Sequence, residues 1–198
     1  MAKKNERRPG LIRPLLRLGA AAALGYAANQ KIHDADEKAR SIIAGRRSEF
    51  LDQTLPVVTD LGSMYAAGGA ATALWLSGNR RLSRDVIGSA ALAWGIAQGA
   101  KRIFRRPRPY DAGDVQLLVR RPAGESYPSG HPAVAAAMVG VVSPEVRSFV
   151  RPPLQRLPRF VGFSRVYVGA HYPSDVVGGV MIGKAVAELW LRFTRGSR

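Results

Sequence analysis

Apolar residues in this chain come in runs of Ala, Gly, Val and Leu rather than in alternation, and short blocks crowded with arginine separate the runs. Uninterrupted apolar stretches, with little period-2 alternation and no strong hairpin signal, predict helices and no sheet. Six segments stand out: 18–28, 61–77, 86–100, 132–143, 161–169 and 176–193. Leu61 to Ser77 carries no charge over seventeen residues, and Val86 to Ala100 is also uncharged. A helix that crosses a bilayer needs about 20 residues, with about 17 as a lower limit. These two are marginal spans. The segments 132–143 and 161–169 are shorter, and 176–193 contains Lys184 and Glu188, so several could cross only by tilting, thinning the bilayer or leaning on flanking residues. Gly68-Gly69 and Gly179-x-x-x-Gly183 offer spacings for close helix contact.

The pattern predicts two parts. Residues 1–54 form a basic N-terminal segment with a first apolar helix and a polar connection, and residues 55–198 form the helical core. The basic block Lys3, Lys4, Arg7, Arg8, Arg13 and Arg17 before a short apolar stretch fits either a cleaved signal peptide, with Arg7-Arg8 as a faint twin-arginine pair, or an uncleaved first helix. The segment 30–54, with His33, Asp34, Asp36, Glu37, Lys38 and Arg40, reads as an exposed helix or loop without evident chemistry.

Charge changes this picture. Lys plus Arg number 30 against 14 Asp plus Glu, a formal charge of +16, so the natural partners are anionic. Mean hydropathy, at −0.07, is that of an ordinary soluble protein, but the clustering of the charges points to membrane segments. With a cytoplasmic N-terminus and six crossings, the N-terminal block, the 79–85 loop, the 145–159 loop and the C-terminal arginines all fall inside, as the positive-inside rule asks. Segments 30–54, 101–130 and 164–175 then share the outer face. Arginines in 101–109 break the rule there unless they serve a site. The absence of cysteine excludes disulfides, thiolate zinc sites and cysteine nucleophiles.

Three segments carry groups suited to one phosphate. In the first, Lys101 follows an apolar helix, and Pro107 and Pro109 force the chain around Arg108 into an extended conformation. In the second, Tyr127-Pro128-Ser129-Gly130-His131-Pro132, Ser129 and Gly130 open a helix whose first amides would point at an anion; an ordinary N-cap is the plainer alternative. In the third, Asp175 lies four residues after His171, close enough to accept a hydrogen bond from one imidazole nitrogen and leave the other as a nucleophile; a surface histidine near a helix-start aspartate is the plainer alternative for this segment alone.

Taken together, K-x6-RP, PSGH and SR-x5-H-x3-D resemble the three-part signature of the type 2 phosphatidic acid phosphatase superfamily, which includes bacterial class A acid phosphatases and vanadium haloperoxidases. Lys101, Arg108, Pro109, Pro128, Ser129, Gly130, His131, Ser164, Arg165, His171 and Asp175 fill every signature position. The resemblance spans about residues 86–190. It implies that His171 attacks phosphorus and forms a phosphohistidine, that Asp175 orients it, and that His131 protonates the departing alkoxide. Lys101, Arg108 and Arg165, with the Ser129 hydroxyl and the Gly130 amide, would hold the phosphoryl oxygens. That division of labour asks for a neutral His171 and a protonated His131, within small shifts of about 6.5. Three permanent cations would do the work of a metal, so neither metal nor other cofactor is expected.

The expected protein is thus an all-α bundle of about six core helices, embedded in the cell membrane in several passes, with its active site at one, extracytoplasmic, end. Its substrate is a lipid or polyprenyl phosphate monoester or diphosphate, such as phosphatidic acid, phosphatidylglycerophosphate, undecaprenyl diphosphate or a phosphorylated prenyl-sugar lipid. A soluble secreted acid phosphatase of the same superfamily is the alternative. Nucleic acid is not expected as a partner, because the cations sit at the termini and between apolar runs with little aromatic interleaving. The arginine-rich, lysine-poor composition fits a bacterial source.

Overall fold

A computed structural model of the chain describes residues 10–113 and 115–195. Lys3, Lys4, Arg7 and Arg8, with the twin-arginine reading, and the C-terminal Arg198 lie outside the described residues. In chain order the helices are α1 (Ile12–Gln30), α2 (His33–Ala44), α3 (Glu49–Asp60), α4 (Met64–Leu76), α5 (Arg80–Phe104), the single turn α6 (Pro109–Ala112), α7 (Gly130–Val142), α8 (Arg151–Tyr167) and α9 (Pro173–Arg195). No strand occurs among the described residues.

Local chemistry sets the boundaries. Ser48, Ser63 and Asn79 accept hydrogen bonds from the amides of Leu51, Ala66 and Leu82, and so cap α3, α4 and α5. At the end of α5, Arg105 turns left-handed at φ 46° while its amide donates to the Lys101 carbonyl. Pro109 opens α6 and Pro173 opens α9, where a missing N–H costs nothing.

Helix α7 is the axis of the bundle, packed against α4, α5, α8 and α9, while α1 lies along α9 and α3 along α8. Ala133, Val134, Ala135, Ala136 and Ala137 are all buried, so α7 is covered on nearly every side. Small residues on α9 bring the two backbones together. A Cβ at Gly179 or Gly183 would strike the carbonyl oxygen of Ser129 or Ala133. Gly68 and Gly69 do nothing of the kind: no atom lies within 4 Å of where their Cβ would be, so the close contact expected there is absent.

The expected count of about six core helices falls short, since eight helices of twelve residues or more form among the described residues. Of the two readings of segment 30–54, helix or loop, most of it is helix, in α2 and the first half of α3. The 145–159 stretch, read as a loop between apolar runs, is helical from Arg151 onward, and its Pro152 and Pro153 sit in the first turn, where helices tolerate proline. No described helix is long and apolar enough to cross a membrane. Helices α4 and α7 have only 13 residues each, and α1 and α9 are interrupted by Arg17 and by Lys184 and Glu188.

Charged groups collect at the two ends of the bundle. At one end Glu145 accepts from Arg81 and Arg195, both at 2.8 Å. At the other end 30–54, 101–130 and 164–175 meet. Arg47 donates to Gln116 at 2.9 Å, and the Leu118 amide donates to the Val168 carbonyl at 3.1 Å.

Candidate active site

The second end is where the signature residues converge. Lys101 ends α5, His131 lies in the first turn of α7, Arg165 in the last turn of α8, and His171 on the short α8–α9 connection, with Asp175 in the first turn of α9. The His171 ring is buried, with Nδ1 directed at Asp175 Oδ2 at 3.5 Å and Nε2 at 3.2 Å from Arg108 Nη1. Nδ1 has no other partner. A carboxylate beside Nδ1 and a guanidinium donor beside Nε2 assign the tautomer: the proton sits on Nδ1 and the lone pair on Nε2. The Nδ1 contact is longer than a formed hydrogen bond, and such contacts tighten when substrate arrives.

Arg108 is fixed by the loop it enters. Its Nε donates to the Gly124 carbonyl at 2.7 Å, and Nη1 and Nη2 donate to Ala170 at 3.0 Å and Ala123 at 3.2 Å. Arg165 donates to Thr59 Oγ1 at 3.0 Å and keeps a buried Nε without a partner, while Lys101 Nζ donates to the Glu125 carbonyl. Ser129 stands at the N-cap of α7, yet its hydroxyl makes no cap hydrogen bond and is buried without a partner. An ordinary capping role therefore does not describe it. The first amides of α7, Gly130 included, point out of the helix with no intrahelical acceptor.

Six ionisable groups act on one another here: Lys101, Arg108, His131, Arg165, His171 and Asp175. Burial first, then the charges of Arg165, Lys101 and Arg108, push His131 down to about 3. Burial and the same three cations, led by Arg108, hold His171 well below its ordinary value. Both imidazoles are neutral in the protein's own field. That suits His171, but the small shift expected for His131 is in fact large. Lys101 is lowered to about 7, by burial first and Arg108 next, so its charge is not permanent as expected. Burial raises Asp175, and Arg106 and Ser126 act against that rise.

Residues 82–198, more than half of the chain, match the PAP2 superfamily. The chain belongs to this superfamily. Undecaprenyl-diphosphatase BcrC of Bacillus subtilis is 30% identical over 152 residues, which cover 74% of this chain and 77% of that protein. Decaprenylphosphoryl-5-phosphoribose phosphatase of Mycolicibacterium smegmatis is 35% identical over 115 residues, 58% of this chain and 62% of that one. The crystal structure of a transmembrane PAP2 type phosphatidylglycerolphosphate phosphatase from Bacillus subtilis superposes with a TM-score of 0.79 at 21% identity, covering 94% of this chain and 98% of its own. This PAP2 chain is a phosphoric ester hydrolase.

Residues the sequence did not single out also join this cluster. Arg106, one of the arginines of 101–109 to which no role fell from the sequence, is buried and bound to Asp175 and Asp36; Ser126 donates to Asp175 at 2.5 Å; Thr59 meets Arg165. A surplus of arginines between Lys101 and Arg108 was the one available signal. Beside Lys101 a cleft of about 710 Å³ opens between Trp94, Gln98, Arg102, Arg105 and Glu125. Trp94 is also the side chain nearest to Gly130, 3.9 Å from where a Cβ would sit. Among the described residues no group of three or more His, Asp or Glu is arranged to hold a metal.

Proposed function

We propose that this enzyme hydrolyses a lipid or polyprenyl phosphate, monoester or diphosphate, through a phosphohistidine at His171. The observation that carries the reading is the ring of His171, with Nδ1 turned to Asp175 and Nε2 turned to Arg108. Nε2 attacks phosphorus: the N–P bond forms as the P–O bond to the leaving group breaks. Arg108, Arg165, Lys101, the Ser129 hydroxyl and the Gly130 amide hold the phosphoryl oxygens and offset the charge of the transition state. A phosphate with two negative charges opposes the three cations that hold His131 low, so His131 gains its proton as substrate enters and gives it to the leaving oxygen. Neutral again, His131 accepts a proton from the water that attacks the phosphohistidine. Inorganic phosphate leaves and Nε2 is restored.

Membrane residence at the outer face belongs to the same reading. Ile12, Leu16, Tyr65, Leu76, Trp94 and Ile103 are large apolar side chains left exposed along α1, α4 and α5. Short helices can sit in a bilayer that thins around them. The 710 Å³ cleft, with Arg102 and Arg105 at its rim, suits the part of an anionic head group that lies beyond the reacting phosphate. The named activities of the relatives support a polyprenyl carrier. The test is phosphate release by detergent-purified enzyme from undecaprenyl diphosphate, a phosphorylated prenyl-sugar lipid, phosphatidic acid and p-nitrophenyl phosphate, in EDTA, with His171→Ala beside it. Release from a prenyl or lipid substrate that the variant abolishes is expected. Release from p-nitrophenyl phosphate alone would favour a secreted acid phosphatase.

A further inference from the structure

Asp175 orients His171, and Asp175 is itself held by the buried side chains of Arg106 and Ser126, while Asp36 holds Arg106 in turn. Arg106 Nη1 donates to Asp175 Oδ1 at 2.8 Å and to Ser174 Oγ at 2.7 Å, and its Nη2 donates to Asp36 Oδ2 at 2.8 Å. Asp36, on α2, accepts the Ser174 amide at 2.9 Å on Oδ1 and the Ser174 hydroxyl on Oδ2. The Ser126 hydroxyl at 2.5 Å and the Tyr172 amide at 2.8 Å fix the second oxygen of Asp175, the one that faces His171 Nδ1. Arg106 lies over the Tyr172 ring, 4.2 Å from its centroid. Exposure is 1% at Arg106, 6% at Asp36 and 0% at Asp175.

Two carboxylates and one guanidinium are expensive to bury, and such a triad is not in itself a source of stability. It does provide direction. One carboxylate oxygen is tied to Arg106, the other to Ser126 and the Tyr172 amide, so the carboxylate plane cannot rotate and Oδ2 stays aimed at the imidazole. Arg106 alone would be a cation with one partner at the edge of a cationic pocket. Asp36 is the second partner that keeps it between the two acids and ties α2 to the start of α9.

We propose that Asp36 and Arg106 are positioning residues for catalysis: Arg106, held by Asp36, fixes the Asp175 carboxylate that orients His171. Asp36 lies on a helix outside the matched segment 82–198, so this chain completes its site from its N-terminal part. The inference rests on the phosphohistidine reading.

Rapid-quench trapping of phosphoenzyme from a ³²P-labelled prenyl diphosphate separates the two. In Asp36→Asn the rate of phosphoenzyme formation should fall about 10- to 100-fold, with a larger fall in Arg106→Gln, the size seen when partners that orient a ligating or catalytic group are removed. The dissociation constant for vanadate, which reads the phosphate cradle, should stay within about threefold. Arg106→Lys, which keeps the charge but cannot bridge both acids, should lie between wild type and Arg106→Gln. Wild-type rates in Asp36→Asn, or a rate that falls only in step with vanadate binding and helix content, would overturn the inference. Should Arg106→Gln fail to fold, Ser174→Ala, which removes one donor from Asp36 and leaves Arg106 paired, must slow the same step, and an unchanged rate there refutes the proposal. If the wild type yields no phosphoenzyme, or His171→Ala still yields one, the phosphohistidine reading itself is wrong and the inference goes with it.

Discussion

Arg108 Nη1 lies 3.2 Å from His171 Nε2, so the nitrogen proposed to attack phosphorus and a guanidinium proposed to bind it are already neighbours. Three backbone carbonyls hold that guanidinium on its other sides, and it cannot swing away to make room. An incoming phosphate must therefore break the Nη1–Nε2 contact, one of its oxygens taking the guanidinium donor and leaving the Nε2 lone pair to face phosphorus.

Removal of His171 should therefore abolish turnover while the bundle stays folded. His171→Ala should lose about 10⁴-fold or more in kcat, and Asp175→Asn about 10³- to 10⁴-fold, as expected for a nucleophile and for the carboxylate that sets its tautomer. Phosphate release and helix content measured on the same samples check both statements.

The two guanidiniums act on the phosphoryl oxygens. Arg108→Ala and Arg165→Ala should each cost about 10²- to 10³-fold in kcat/KM. Arg108→Lys should recover little of this, since an ammonium cannot satisfy Gly124, Ala123 and Ala170 together. Steady-state kinetics with one soluble and one prenyl substrate decides it.

Lys101 links activity to pH. It is lowered to about 7, so the free enzyme loses this cation as pH rises through that value. The alkaline limb of kcat/KM should bend near pH 7 and move upward in Lys101→Arg, because the kcat/KM profile reports groups of the free enzyme. Stability has the opposite trend. The unfolded lysine still binds its proton up to about 10.4, so between about 7 and 10.4 the unfolded state holds more protons, and stability contributed by this group rises with pH. Lys101→Met should raise stability at pH 6 by about 0.5–2 kcal/mol while losing activity, which thermal melts and phosphate release together would show.

Much of this architecture could be read from the chain. The six apolar runs are α1, α4, the middle of α5, α7, the end of α8 and α9, and the three phosphate segments do meet. Asp36 and Arg106 could not be read, and the reason is physical. They are 70 residues apart, and neither lies in a periodic apolar pattern. A buried ion pair leaves no trace in hydropathy, because each partner alone looks like a solvated charge. Helix α8 was hidden for another reason: Pro152, Pro153 and Pro158 suggest a loop unless the first two are placed in an opening turn.

Backbone proximity between α7 and α9 gives a stability contrast. Gly183→Ala puts a methyl group against the Ala133 carbonyl and should cost about 1–3 kcal/mol. Gly68→Ala meets nothing and should be neutral or stabilising, by up to about 1 kcal/mol from helix propensity. Melting temperatures of the two variants in one detergent test the pair.

The alanine-rich α7 has a mechanical consequence. Alanine has no rotamers to exchange, so the helix that presents Ser129, Gly130 and His131 has few alternative ways to pack against its neighbours. The phosphate cradle is consequently a stiff fixture, and adaptation to different carriers falls to the long, jointed side chains of Trp94, Gln98, Arg102 and Arg105 at its rim.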